Sequence, residues 1–510
     1  MSKNVFEKLQ NGNDVRGAAI GTQDEAQTIT AGIVSYIAEA FGNWLSKQTG
    51  KPLSGLRIGI GHDSRITAEI FEKAASVGLS GAQVFLCGLV STPSMFQSTL
   101  LPGSRFDGAI MITASHLPYN RNGMKFFTEN GGLEKTEMAE VLRGAAELAA
   151  GAETDEAGFP VYPEKAAADA QPFDLVSLYS ASLMEQIREE VKAEDYEHPL
   201  AGLHIVVDAG NGASGFFADK ILEPLGADVS GSVYLEPDGS FPNHIPNPEN
   251  EAAMEAVRQA TLDAGADLGV IFDCDGDRAA VVFSNGDEVN RNALIALLGV
   301  IVAEKSPGST IVTDSITSDE LGVFLEKDLG LKHLRFKRGY KNVINKGKEL
   351  NAEGTVCELA IETSGHGAFR SNSFSDDGAY ICVRILIKMA LMKKEGKKIE
   401  TLIADLKEPG DAREIRFKIT GEDFAGYGDN VLKNFTVYAE ADPRFHIVTP
   451  NYEGVRVAFD DEEVKGWVLL RKSLHDPVMP MNIEALEKGG VDIIMGRLEP
   501  FFAEQTRLER

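Results

Sequence analysis

Three related mixed α/β domains followed by a smaller C-terminal α+β domain is the fold class this sequence predicts, and three features predict it. Short apolar runs alternate with helix-period stretches, which favours parallel α/β architecture. An apolar strand, an Asp and a polar or small-residue turn recur three times, in LRIGIGHDSR (56–65), LHIVVDAGNGAS (203–214) and STIVTDSITSDELG (309–322). The last hundred residues change texture: REIRFKI, RVAF, GWVLLR and PVMPMNIEA are short apolar runs separated by turns.

Residues 24–48 place Ile33, Val34, Ile37, Phe41, Trp44 and Leu45 on one face at a period near 3.6, an amphipathic helix. The first strand–Asp–turn unit follows, then QVFLCG and FDGAIMIT, both strands. FDGAIMIT runs into ITASHLPYNRNGMKFF (112–127), a turn overloaded with Thr113, Ser115, His116, Asn120 and Lys125. GAETDEAGFPVYPEKAAADAQPF (151–173), rich in Ala, Pro and charge, reads as a connector. The resulting boundaries are 1–155, 165–295, 296–408 and 409–510, in a chain of 510 residues.

Asp plus Glu total 77 against 50 Lys plus Arg, a net charge of -27, so general binding to nucleic acid or anionic membranes is excluded as a function class. An anionic ligand would need its cations concentrated locally. Four cysteines without a CxxC pair point to a reducing compartment. MSKNVFEKLQNGNDVRG lacks an apolar export segment, and no apolar run reaches the roughly 18 residues of a membrane span. A cytoplasmic, multidomain protein, monomer or homodimer, is expected.

The most specific short motif is LGVIFDCDGDRAAVVF (268–283). Two apolar strands flank Asp273, Asp275 and Asp277, with Gly276 for a tight turn and Arg278 behind. Three carboxylates that close repel one another unless a cation lies among them, and hard oxygen donors few in number suit Mg²⁺. A solvated acidic turn is the bland alternative. An EF-hand loop needs Gly at position 6 and Glu at 12, where this chain has Arg278 and Ser284.

Weaker signals surround it. RKSLHDP (471–477) offers Arg471 and Ser473 to one oxyanion, with Lys472 and His475 beside them, or is an ordinary basic turn. ETSGHGAF (362–369) presents Glu362, Ser364 and His366, a set able to grip vicinal hydroxyls, or a turn with a solvated Glu. FKRGYKNVI (336–344) supplies Arg338 and Lys341, NDVRG supplies Arg16, and GHDSR supplies Asp63 and Arg65. PDGSFPNHIPNPE (237–249) yields no chemistry by itself; its prolines fix its shape.

Taken in order, TASH with a lysine ten residues after the serine, PDGxFPxHxPNP, DxDGDR, ExSGH and a terminal basic loop resemble the α-D-phosphohexomutases. The resemblance covers nearly the whole chain. It implies four domains around a central cleft and a hexose phosphate as small-molecule substrate, with glucose or mannose 1- and 6-phosphates interconverted through a bisphosphorylated sugar. It implies that Ser115 carries the phosphoryl group and that Asp273, Asp275 and Asp277 hold Mg²⁺ against it. Lys125, Arg278 and Arg16 would face the group in transfer, with His116 and His366 as proton-transfer candidates beside Lys125. Glu362, Ser364 and Lys341 would contact the sugar, and Arg471, Ser473 and His475 the distal phosphate. The chain departs from the family pattern at Leu117, where the family has Asn, at Tyr340, and at Leu474-His475-Asp476. A glucosamine phosphate substrate, a serine- and metal-dependent sugar phosphatase, and a silent binding protein are the competing expectations.

Overall fold

The computed structural model describes residues 2–164, 169–473 and 476–510. They divide into two compact units. One comprises residues up to Asn290 with 364–367 and 372–399; the other comprises 291–363, 368–371 and 400–510.

The first unit opens on a sheet whose core strands, Gly108–Ile112, Arg57–His62 and Gln83–Leu89, are parallel. Gly108–Ile112 is buried throughout and Arg57–His62 nearly so, because helices cover the sheet. The sheet is mixed, as expected: Arg121–Thr128 returns antiparallel beside Gly108–Ile112, and Asp14–Ala18 adds antiparallel to that. The sharp return after residue 112 is what places a polar turn at the strand's C-terminal end. The helix read over 24–48 starts at Ala31 and ends at Thr49. Thr28 is held out of it, since its N–H donates to Ala18 O (2.8 Å) and its hydroxyl accepts from Ala18 N (2.8 Å). Thr30 caps the first turn, Gly50 ends the last in the left-handed region, and all six predicted face residues are buried. The end of the presumed connector forms a short strand, Gln171–Pro172, on the edge of Gln83–Leu89, where a proline costs no ladder bond.

A second sheet in this unit pairs Ile205–Asp208 parallel with Leu268–Phe272, and Leu268–Phe272 antiparallel with Ala279–Phe283. The hairpin confirms two apolar strands around the acidic motif. The helix Glu251–Ala264, capped by Asn250, packs Met254 and Val257 against Ile271 and Val282.

The second unit contains the parallel strands Lys332–Arg335, Thr310–Thr313 and Cys357–Ile361. Its C-terminal part is an antiparallel sheet through Val455–Asp460, Lys465–Leu470, Val478–Ala485 and Asp411–Ile419. Helices Phe424–Glu440 and Gly490–Ala503 bury Phe435, Leu498 and Phe501 in one core with Phe417, Phe459 and Val468 from the sheet. The α+β texture of the last hundred residues is therefore present. The three repeated aspartates, Asp63, Asp208 and Asp314, all lie fully buried at or just past strand ends. Among the described residues no helix is long and apolar enough to cross a membrane.

One buried polar cluster in the second unit carries a pH dependence. Arg456 lies 3.7 Å over the Trp467 ring and donates to Ser315 O (2.9 Å) and Asp319 (2.9 Å), with Arg335 on the same Asp319 carboxylate. The Trp467 indole donates to Glu484 (2.9 Å). Burial pushes the Glu484 carboxyl up to about 7 despite the attraction of Arg456. A folded-state value above the unfolded one means a contribution complete below about 4.5 and lost as pH rises to about 7. Glu484→Gln keeps the indole's acceptor and removes the titration, so it should stabilise the protein by roughly 1–2 kcal/mol at pH 8 and very little near pH 4.5. Thermal unfolding of both proteins across that range checks this; parallel curves would refute it.

Candidate active site

The turn after Gly108–Ile112 holds Ser115 in the left-handed region (φ 52°), a conformation that costs a non-glycine residue about 1–2 kcal/mol. Several contacts impose it. Thr113 Oγ1 accepts from Ser115 N (2.8 Å) and donates to Asp63 Oδ2 (2.6 Å). Arg65, 2% exposed and ion-paired with Asp63 (3.3 Å), forks onto four carbonyls of the turn. They are Ser115 O (2.5 Å), Leu117 O (2.6 Å), Pro118 O and Arg121 O (both 2.8 Å). Arg16 donates to Thr113 O and pairs with Asp14 at 3.0 Å. The turn is thus bound from two directions by guanidinium groups, and Leu117 contributes its carbonyl to it.

The hairpin Leu268–Phe272/Ala279–Phe283 delivers the acids beneath the serine. Gly276 (φ 72°) is required at the tip, where a Cβ would come 2.4 Å from Ser214 Oγ. Asp273, Asp275 and Asp277 are at most 2% exposed. Asp273 Oδ2 accepts from Ser115 Oγ (3.3 Å) and from Arg278 Nε (3.0 Å). Asp275 Oδ2 accepts from the Thr92 hydroxyl (2.5 Å) and lies 3.0 Å from Lys125 Nζ, which is 2.5 Å from Asp277 Oδ2. Burial and Asp277 drive the Asp273 carboxyl well above its ordinary range, against Arg278. Burial also opposes ionisation of Asp275, but Lys125 and Thr92 outweigh it and hold that carboxyl down. Asp277 ends lower too, burial and Asp275 being overcome by Lys125, His366 and Arg278. Lys125 is held well above its usual value by Asp275 and Asp277 in spite of burial, so it is a fixed cation.

One carboxylate atom from each of the three acids lies within 4.8 Å of the others. Oδ1 of Asp275 and Oδ1 of Asp277 are buried without a hydrogen-bond partner among the described residues. Buried orphaned carboxylate oxygens in a hard-donor cluster fit a small divalent cation, since leaving them unpaired is costly.

Two imidazoles face this centre. His116 Nδ1 lies 3.3 Å from Ser115 Oγ, and burial together with Arg278 lowers it to about 3. His366 Nδ1 is 2.9 Å from Ser364 Oγ and its Nε2 is 3.6 Å from Asp277 Oδ1; burial lowers it to about 3 although Asp277 opposes. Both are neutral near pH 7. A backbone bridge between Arg278 and His366 ties the ExSGH loop to the acidic hairpin. The first unit therefore gathers Ser115, His116, Lys125, Arg16, Arg278, Ser364, His366 and the three aspartates.

The second unit carries the remaining candidates. Glu362, 5% exposed, follows Cys357–Ile361 and accepts from Gly339 N (2.6 Å), so it is no solvated turn residue. Lys341 lies in the first turn of the helix Tyr340–Ala352. Arg471 and Arg338 converge on Glu453: Arg471 NH1 lies 3.9 Å from Oε1, while Arg338 N (3.1 Å) and the Ser315 hydroxyl (2.5 Å) donate to Oε2. Ser473 N donates to Val478 O (3.0 Å) and its Oγ accepts from Asp476 N (3.2 Å). Lys472 pairs with Asp429 on the helix Phe424–Glu440 (2.5 Å). Leu474 and His475 lie outside the described residues.

The motif reading gave Arg65 no more weight than any other loop arginine and missed Thr92 and Glu453 altogether. Arg65 acts on main-chain carbonyls and Thr92 on a carboxylate far along the chain, and neither leaves a local pattern. Glu453 sits in a turn without any motif.

Models of phosphoglucomutase/phosphomannomutase alpha/beta/alpha domains I, II and III match residues 7–149, 181–286 and 290–409. A phosphomannomutase/phosphoglucomutase of Pseudomonas syringae pv. tomato is 28% identical over 95% of this chain and 92% of its own. A phosphoglucosamine mutase of Chromohalobacter salexigens is 30% identical over 94% of this chain and 95% of its own. In fold, a phosphoglucomutase/phosphomannomutase family protein from Burkholderia thailandensis superposes with a TM-score of 0.77 at 24% identity, covering 99% of this chain and 98% of its own. With three domain models in order and relatives matched almost end to end, this chain belongs to the phosphoglucomutase/phosphomannomutase family.

Proposed function

We propose that this protein is a phosphohexomutase interconverting hexose 1-phosphate and hexose 6-phosphate, of glucose, mannose or both. Ser115 is its phosphoryl carrier and Mg²⁺ its metal. The observation that carries the reading is the contact of Ser115 Oγ with Asp273 (3.3 Å), inside a buried ring of three carboxylates, Lys125 and Arg278. A serine hydroxyl is a weak nucleophile, but its phosphoester is a stable store.

Asp273, Asp275 and Asp277 would hold Mg²⁺, which supplies charge neutralisation to the phosphoryl oxygens. The sugar hydroxyl attacks the phosphorus of phosphoserine; the bond from phosphorus to Ser115 Oγ breaks, and the hydroxyl's proton ends on Oγ. Lys125, held as a cation between Asp275 and Asp277, would stabilise the charge in transfer. His366, neutral, is placed to take the proton from the sugar hydroxyl, and His116, neutral beside Oγ, to relay it to the serine, so that neither imidazole keeps a charge. Arg278 and Arg16 assist at the phosphoryl group. Glu362, Ser364 and Lys341 would grip the sugar, while Arg471, Ser473 and His475 would bind the phosphate that is not transferred. The bisphosphorylated sugar then turns over and returns its other phosphate to Ser115.

A glucosamine phosphate is the second substrate class, favoured by the 30% identity to a phosphoglucosamine mutase. Coupled assays with glucose, mannose and glucosamine phosphates and Mg²⁺, with free phosphate followed in parallel, test the reading. Isomerisation without phosphate release supports it. Stoichiometric phosphate release would make the protein a phosphatase, and no reaction with any of the sugars would remove it from catalysis.

A further inference from the structure

The Pro-rich segment 237–249, which the proposed mechanism leaves unused, is anchored at three points of the first unit. At its base, Asp238 N donates to Asn211 O (2.9 Å) and Asn243 Nδ2 to Asn211 Oδ1 (2.7 Å). His244 Nε2 meets both oxygens of the buried Asp208 (3.0 and 3.2 Å) while its Nδ1 faces Ile245 O (3.0 Å), so the ring is clamped from both sides.

From this base the segment reaches two loops. Gly239 lies so close to residues 64–66 that a Cβ would come 2.4 Å from Ser64 O. There the Phe241 ring lies 5.3 Å from the Arg65 guanidinium, the same group that forks onto Ser115 O and Leu117 O. At the other end Asn247 Oδ1 accepts from Arg278 NH1 (3.1 Å), with Glu249 Oε2 at 3.5 Å from the same nitrogen. Arg278 in turn holds Asp273 through Nε (3.0 Å). One rigid segment therefore touches the arginine that shapes the serine turn and the arginine that holds an aspartate of the acidic hairpin.

We infer that residues 237–249 are a strap that sets the serine turn and the acidic hairpin in register, with Phe241 and Asn247 as positioning residues acting through Arg65 and Arg278. Proline content suits the task, because a segment with few accessible conformations transmits position with little entropic loss. Misplacing reacting groups by about 1 Å costs on the order of 10²-fold in rate, so a strap of this kind is felt in kcat.

The test uses the full-length protein and has two arms. Hydrogen exchange followed by mass spectrometry needs no activity: Phe241→Leu should raise exchange over 113–121 at least about fivefold and leave 478–485 unchanged. The kinetic arm rests on the phosphohexomutase reading. In it Asn247→Ala should lower kcat about tenfold with KM for the hexose phosphate within about twofold, and Asn247→Asp, which keeps the acceptor, should recover most of the loss. Parental exchange over 113–121 in Phe241→Leu, or parental kcat in Asn247→Ala, would overturn the strap. So would a loss of exchange protection throughout the molecule in either variant. If the parent protein turns over no hexose phosphate, the functional reading fails and the exchange arm alone decides.

Discussion

Ser115→Ala should lose at least about 10³-fold in hexose phosphate isomerisation, some 4 kcal/mol of barrier, while folding normally. The loss is large because the residue is the proposed chemical carrier and, among the described residues, no other hydroxyl donates to Asp273. Folding should survive because the turn is fixed by main-chain contacts: Arg65 takes the carbonyl of Ser115, and Thr113 takes its N–H. Alanine adopts the left-handed region no more readily than serine, so the strain is little changed. Coupled turnover assays and thermal unfolding of the variant check the two halves. Turnover within tenfold of the parent would show that phosphate travels by another route.

Lys125→Met should destabilise the protein by about 3–5 kcal/mol in the presence of a chelator, because it leaves Asp275 and Asp277 buried without the cation they share. Methionine fills most of the lysine's volume, so the effect is chiefly electrostatic. Mg²⁺ should then raise the unfolding midpoint of the variant more than that of the parent, since a divalent ion replaces the missing charge and binding to the folded state stabilises it. Stability recovered this way should not restore catalysis, because no amine remains to face the phosphoryl group. Calorimetry with EDTA and with Mg²⁺ measures both effects. A variant as stable as the parent in EDTA would mean that the three carboxylates do not repel one another as their burial implies.

Legibility in the sequence followed the range over which each feature acts. The acidic hairpin could be read because its apolar strands, its glycine and its repelling carboxylates all lie within residues 268–283. The serine turn could be read as overloaded for the same reason. Arg65 could not: its partners are carbonyls some fifty residues away, and a carbonyl has no residue type. Glu362 could be read as a sugar contact or a solvated turn residue, and its burial and acceptance of the Gly339 N–H remove the second. Lys472 could be read as a basic loop residue, but not its pairing with Asp429, which lies 43 residues away. The helix at Ala31–Thr49 was legible on its buried face but not at its start, which Thr28 sets by bonding to another strand. The segment 237–249 showed a family motif and its prolines but not its task, because its contacts are to Asn211, Arg65 and Arg278, none of them local.

Everything in the proposed function turns on a phosphoryl group that shuttles between Ser115 and a sugar. The direct measurement is to label Ser115 with radioactive phosphate, add unlabelled hexose 1-phosphate with Mg²⁺, and follow the label over one turnover. The label should pass into hexose bisphosphate and hexose 6-phosphate while Ser115 takes up unlabelled phosphate from the substrate. Label released as inorganic phosphate, or retained on Ser115 while product accumulates, would contradict it.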